Sequence, residues 1–147
     1  MMEKFDLALE KTARETLEPL AYDVLKNAAT EAPFTGKYDE FDAVGIYVDP
    51  LTGDVLFSSK DKFNSGCGWP AFAKPIGELK EQEDYSNNRV RMEIKSATSN
   101  SHLGHVFDDG PKESGGLRYC INSAALKFIP ITEMEDKGYG SYLDLLK

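Results

Sequence analysis

Cysteine is scarce in this chain. Only Cys67 and Cys120 are present, too few for a disulfide scaffold or a four-cysteine zinc site. Basic residues are outnumbered, 17 against 25 acidic, for a net charge of −8. That balance repels a phosphate backbone and excludes a general nucleic-acid binder. No apolar run approaches the roughly 20 residues of a membrane helix. The N-terminus, Met1-Met2-Glu3-Lys4-Phe5-Asp6, lacks the basic-then-apolar order of a signal peptide. The expectation is a soluble, cytoplasmic protein without membrane or nucleic-acid partners. What is present suits one compact domain: 147 residues, 41% hydrophobic and 29% charged. Residues 1–147 are read as a single domain, with 1–32 as a helical extension packed on it.

Leu17, Leu20, Ala21, Val24, Leu25 and Ala28 recur at three- and four-residue steps, and Phe5, Leu9 and Ala13 precede them at steps of four. This pattern predicts one long helix or two shorter ones between Glu3 and Ala29. Pro33 ends it, because its ring disfavours helical geometry at the residue before. No reactive side chain lies on the stripe, so the segment is read as packing.

Beyond Pro33 short strands alternate with turn residues. Ala43–Val48 and Val55–Ser58 read as a hairpin around Asp49–Asp54. Arg89–Lys95 alternates, with Val90, Met92 and Ile94 on one face; His102–Phe107 and Leu117–Asn122 are further strands. Thr132 and Glu135 have capping-box spacing, and Gly138 is placed to stop the resulting short helix. The expected class is α+β, mainly β: antiparallel sheets forming a barrel-like core with flanking helices.

Reactive residue types crowd into Gly66-Cys67-Gly68-Trp69-Pro70, His102-Leu103-Gly104-His105-Val106-Phe107 and Arg118-Tyr119-Cys120-Ile121-Asn122. These hold both cysteines, both histidines and the only tryptophan. On a strand Arg118, Cys120 and Asn122 share one face, and Leu117, Tyr119 and Ile121 the other. The thiol then sits beside a guanidinium, which favours thiolate, although a lone strand cysteine is commonly inert core. Cys67, between glycines, lies on an irregular loop from which a thiol can swing to a partner. Whether the two cysteines meet is left open by spacing alone. His102 and His105 point to opposite faces of a regular strand and serve one site only if a bulge forms near Gly104. Trp69, with Phe107 as neighbour, is positioned to wall a small apolar pocket.

Two other readings use the same residues. Two cysteines and two histidines make a zinc set, but neither pair has the usual close spacing of such ligands. A non-catalytic module could also hold a small ligand between Trp69 and Phe107.

Ser58–Phe63, Gly66–Phe72, His102–Phe107 and Gly116–Ser123 resemble methionine sulfoxide reductase B in order and spacing, the likeness running from about Pro33 to Tyr142. The resemblance implies two antiparallel sheets with flanking helices and reduction of the R epimer of methionine sulfoxide, the activity of this family. It implies that Cys120 is the nucleophile, that Cys67 resolves the sulfenic acid as a disulfide, and that thioredoxin restores both thiols. His102, His105 and Asn122 match polar groups around the sulfoxide oxygen, Arg118 a support for the thiolate, and Trp69, with Phe107 close by, the wall for the substrate methyl. Implied partners are thioredoxin and oxidised proteins or methionine sulfoxide, in protein repair under oxidative stress by a monomer. Many members hold a structural zinc with two C-x-x-C pairs. Asp49 with Thr52, and Ser96 with Ser99, stand at those positions here, so a zinc-free member with no other cofactor is expected. Ala71 stands where serine is frequent after Trp-Pro.

Overall fold

The computed structural model describes residues 19–27, 29–85 and 90–146. Among the described residues nine strands form two antiparallel sheets. One has three strands in the order β2-β1-β9: Val55–Ser58, Gly45–Val48 and Lys127–Pro130. The other has six, in the order β3-β4-β8-β7-β6-β5: Lys62–Phe63, Ala71–Phe72, Arg118–Ile121, His102–Phe107, Arg91–Ser96 and Leu79–Asp84. The class is α+β and mainly β, as expected. The sheets do not close into a barrel, because β2, β9, β3 and β5 remain as edges.

Helix α1, Pro19–Asn27, buries Val24 and Leu25 of the predicted stripe. It packs on β7 and on the 3₁₀ turn Ser123–Ala125. The rest of the helical stretch expected from Glu3, together with Ala28, lies outside the described residues. The hairpin forms as read, its first strand starting at Gly45. The strand expected at Arg89–Lys95 runs from Arg91 to Ser96; Arg89 is outside the described residues, and Val90 precedes the strand and is exposed. Near the C-terminus α2 covers Ile131–Met134, with Pro130 at its N-cap and no side-chain cap. Thr132 is therefore inside the helix and the capping box does not form. Gly138 does act as the stop. With φ +89° it lets Tyr139 N–H reach the Met134 carbonyl at 2.7 Å and its own N–H reach Glu135 at 3.2 Å, a Schellman ending.

Aromatic residues join the two sheets. Phe57 of β2 stacks on Phe72 of β4 with centroids 4.4 Å apart, and Tyr47 of β1 meets Phe72 edge-on at 5.1 Å. Each such pair adds about 1 kcal/mol beyond its buried area. Tyr119 and Ile121, the apolar face of β8, are buried with Ile94 and Leu103 in the same core. Leu117, expected on that face, lies before the strand and is exposed. Tyr47 is fully buried and its hydroxyl has no hydrogen-bond partner among the described residues; burial is the main cause that raises its pKa. An unsatisfied buried hydroxyl costs stability. Tyr47→Phe should therefore leave stability unchanged or raise it by about 1 kcal/mol in denaturant titration. A loss of that size would show that the hydroxyl is satisfied.

The hairpin turn and the β6–β7 turn dock through polar side chains. Asp49 Oδ1 accepts from Leu51 N–H at 2.8 Å and Thr52 N–H at 3.3 Å. The Ser99 hydroxyl donates to Asp49 Oδ2 at 2.8 Å, and Ser96 Oγ accepts from Ser99 N–H at 3.2 Å. Asp49, Ser96 and Ser99 are all buried. These positions do not fit a tetrahedral zinc: they offer no thiolate or imidazole, and Asp49 already has partners at both oxygens. Among the described residues no group of three or more His, Cys, Asp or Glu could hold a metal ion.

Candidate active site

Strand register assembles the site on one face of the larger sheet. Alternation on β8 buries Tyr119 and Ile121 and leaves Arg118 and Cys120 half-buried on the other side. Cys120 is paired with His105 of β7 and with Ala71 of β4, and His105 with Glu93 of β6. Glu93, His105 and Cys120 thus form a row across three strands. In the next row of the same face Phe107 pairs with Arg118.

The histidines share this face because β7 is irregular. Its register on β6 shifts between Ile94 and Lys95, so that Leu103 has no partner there. The bulge turns both imidazoles to one side, with ring centroids 5.6 Å apart. Gly104 follows directly, and a Cβ there would run into the Cys120 carbonyl oxygen. His105 lines the cleft; His102 is buried behind it and does not.

The second thiol arrives on a loop. Asn64 Oδ1 and Ser65 Oγ accept from Gly66 and Cys67 N–H at 3.1 and 3.3 Å, which tightens the turn. The Phe34 N–H holds the Gly68 carbonyl at 2.7 Å. Cys67 Sγ then lies 3.2 Å from Cys120 Sγ, and both are free thiols. The question that spacing left open has a geometric answer: the two sulfurs are in contact.

A cleft of about 350 Å³ opens beside them. Trp69 and Phe107 supply its aromatic walls, and Cys67, Cys120, His105, Arg118 and Asn122 its polar side. Trp69 is fixed by its indole N–H, which donates to the Glu31 carbonyl at 3.0 Å. Asn122 is largely committed. Its Oδ1 accepts from Glu31 N–H at 3.0 Å and its Nδ2 donates to the Leu103 carbonyl at 2.9 Å. Its second amide hydrogen is the donor left for a ligand.

The electrostatics centre on Arg118. Its guanidinium grips Asp109 with two hydrogen bonds, at 2.8 and 3.2 Å, and covers the Phe107 ring at 4.4 Å. The Asp109 carboxyl is held below its ordinary pKa by that bond. Burial raises the Cys67 thiol, but hydrogen bonds from Ser65, the Trp69 backbone and Cys120, with the charge of Arg118, outweigh it and leave the pKa lowered. Burial raises Cys120, and the adjacent Cys67 adds to that; Arg118 opposes both without overcoming them. The neighbouring arginine does favour thiolate at Cys120, as the sequence suggests, yet burial and the second sulfur weigh more and leave the pKa raised. His102 is lowered by burial, against the opposing influence of Glu93.

Several residues of the site carry no local signal in the sequence. Thr30 and Arg91 line the cleft, and Glu31 ties Trp69 to Asn122. Glu93 Oε2 lies 2.6 Å from His102 Nδ1, and Asp84 Oδ2 lies 2.8 Å from His105 Nε2. Asp84 also lies 3.4 Å from Arg91 Nη2. The charge alternation around Glu93 marks a strand, but its partner depends on register three strands wide.

Two contacting thiols backed by an imidazole and a guanidinium, over an aromatic-walled cleft, define a thiol-dependent oxidoreductase. A family model for the SelR domain matches residues 17–130. The chain belongs to that family, the methionine-R-sulfoxide reductase B family, and is a peptide-methionine (R)-S-oxide reductase.

Proposed function

We propose that the enzyme works through a sulfenic acid at Cys120 and a disulfide with Cys67. The Cys120 sulfur attacks the sulfoxide sulfur; the S–O bond breaks, methionine leaves, and the oxygen remains on Cys120 with the thiol's proton. Cys67 then displaces that oxygen as water, carrying the proton of its own thiol, and the S–S bond forms. A protein dithiol of the thioredoxin type exchanges with the disulfide and restores both thiols. The observation that carries this reading is the 3.2 Å contact between the two free sulfurs at the edge of the cleft.

The other residues take supporting roles in the same proposal. Trp69 and Phe107 receive the substrate methyl group, and Arg118 lowers the cost of negative charge on sulfur. His105, with His102 behind it and the remaining amide hydrogen of Asn122, handles the proton at the sulfoxide oxygen. Peptide-bound sulfoxide is a substrate and free sulfoxide a further one, in repair of oxidised proteins by a cytoplasmic monomer. The whole chain acts as one domain, with its first 32 residues as an extension. Among the described residues no helix is long and apolar enough to cross a membrane. No zinc or other cofactor takes part; the hydrogen-bonded Asp49, Ser96 and Ser99 support this, and metal analysis of purified protein tests it.

The functional test is reduction of methionine sulfoxide resolved by epimer, with a recycling dithiol and its reductase as electron source. The R epimer is consumed and the S epimer is left. Equal consumption of both, or of S alone, would overturn the reading.

A further inference from the structure

We propose that Asp84 and Glu93 are positioning residues for the proton transfers of this reaction, each gripping one imidazole by one ring N–H and so fixing which nitrogen handles the proton. The inference rests on the sulfenic-acid chemistry proposed above.

The geometry is diagonal in both cases. Glu93 is the cross-strand partner of His105, yet its carboxylate reaches His102. Asp84 ends the edge strand β5, pairs with Arg91, and reaches past β6 to His105 on β7. Diagonal neighbours on one sheet face lie within reach of long side chains. An ionised carboxylate only accepts hydrogen bonds, so the nitrogen it holds must carry the hydrogen. His102 is therefore the Nδ1–H tautomer and His105 the Nε2–H tautomer. Their bare nitrogens are opposite: Nε2 on His102 and Nδ1 on His105.

This complementarity suits the proposed steps. His105 borders the cleft opposite Cys120, so its free nitrogen is the one able to take the thiol's proton and return it to the oxygen. His102 is 4% exposed, and its Nε2 is buried with no partner among the described residues. Burial disfavours the charged ring, and its bare nitrogen is held as a second acceptor beside His105. The charged and titratable groups on this face are Lys80 and Asp84 from β5, Arg91, Glu93 and Lys95 from β6, Arg118 and Cys120 from β8, Cys67 from the loop, and Asp109 on Arg118. Among the described residues, the two carboxylates are the charged groups within hydrogen-bond distance of the imidazoles.

The chain has only two histidines, so long-range ¹H–¹⁵N spectra of the reduced protein report each ring separately. The expected wild-type result is one fixed tautomer per ring, Nδ1–H at His102 and Nε2–H at His105. In Asp84→Ala the His105 ring becomes a tautomer mixture and kcat falls about tenfold with little change in KM. Asp84→Asn keeps the size of the side chain, but its amide donates as well as accepts, so the His105 ring is no longer held to one tautomer and kcat falls likewise. Glu93→Ala and Glu93→Gln behave likewise at His102. Backbone amide spectra confirm the fold, and where an alanine variant unfolds the amide variant decides alone. Reversed or mixed tautomers in the wild type would overturn the proposal, as would alanine or amide variants with unchanged tautomers and kcat. Since the spectra need no substrate, failure here is distinct from failure of the sulfenic-acid chemistry, which Cys120→Ser reads.

Discussion

Cys120→Ser should abolish reduction of the R epimer, by at least about 10³-fold in kcat/KM. The hydroxyl fills nearly the same space, so the fold should persist in the far-UV spectrum. A serine oxygen cannot accept the sulfoxide oxygen as a sulfenic acid, so no partial version of the reaction is left. The competing assignment is a reversal of roles. Cys67 has the lowered pKa and Cys120 the raised one, and acidity alone would make Cys67 the nucleophile. Position favours Cys120. It is fixed on a strand, paired in register with His105 and next but one to Arg118, whereas Cys67 sits on a loop whose walls are bends. A nucleophile needs a fixed approach and a proton handler; a resolving thiol needs only to arrive. Substantial single-turnover methionine formation by Cys120→Ser would establish the reversed assignment.

Cys67→Ser should separate the two halves of the cycle. Methionine is released once per chain, and turnover with the recycling protein dithiol then falls to background, about 100-fold or more below wild type. The oxygen stays on Cys120 as a sulfenic acid in the cleft of about 350 Å³, with no second thiol in contact to displace it. A small thiol can enter, attack the sulfenic sulfur and restore activity. Rapid-quench measurement of methionine per chain, followed by steady-state assay with each reductant, reads both outcomes. Undiminished cycling with the protein dithiol would remove Cys67 from the mechanism.

The sequence discloses the members of the site better than their electrostatics. Alternation around Cys120 is enough to place Arg118 and Cys120 together, because period two forces that result once Tyr119 and Ile121 are core. It also identifies the condition for joining His102 and His105, a bulge, though the extra residue is Leu103 beside the glycine. What stays hidden depends on long-range pairing. Asp84 and Glu93 reach their histidines only through the β5–β6–β7 register, which no local pattern encodes. Strand β5 itself, Leu79-Lys80-Glu81-Gln82-Glu83-Asp84, lacks apolar alternation because it is an edge with most of its residues exposed. The capping box fails for a local reason: Pro130 occupies the N-cap, so the helix starts one residue before Thr132. The pull of Arg118 on Cys120 looks decisive in the sequence because burial and the touching second thiol are tertiary facts.

The sharpest test of the mechanism is mass analysis of the wild-type chain after one equivalent of R-sulfoxide, without reductant. The expected result is one methionine per chain, a mass lower by two hydrogens than the reduced protein, and a single cross-linked peptide joining Cys67 to Cys120. Methionine release with both thiols still open to alkylation, or with a lasting oxygen on Cys120 beside a free Cys67, would contradict it.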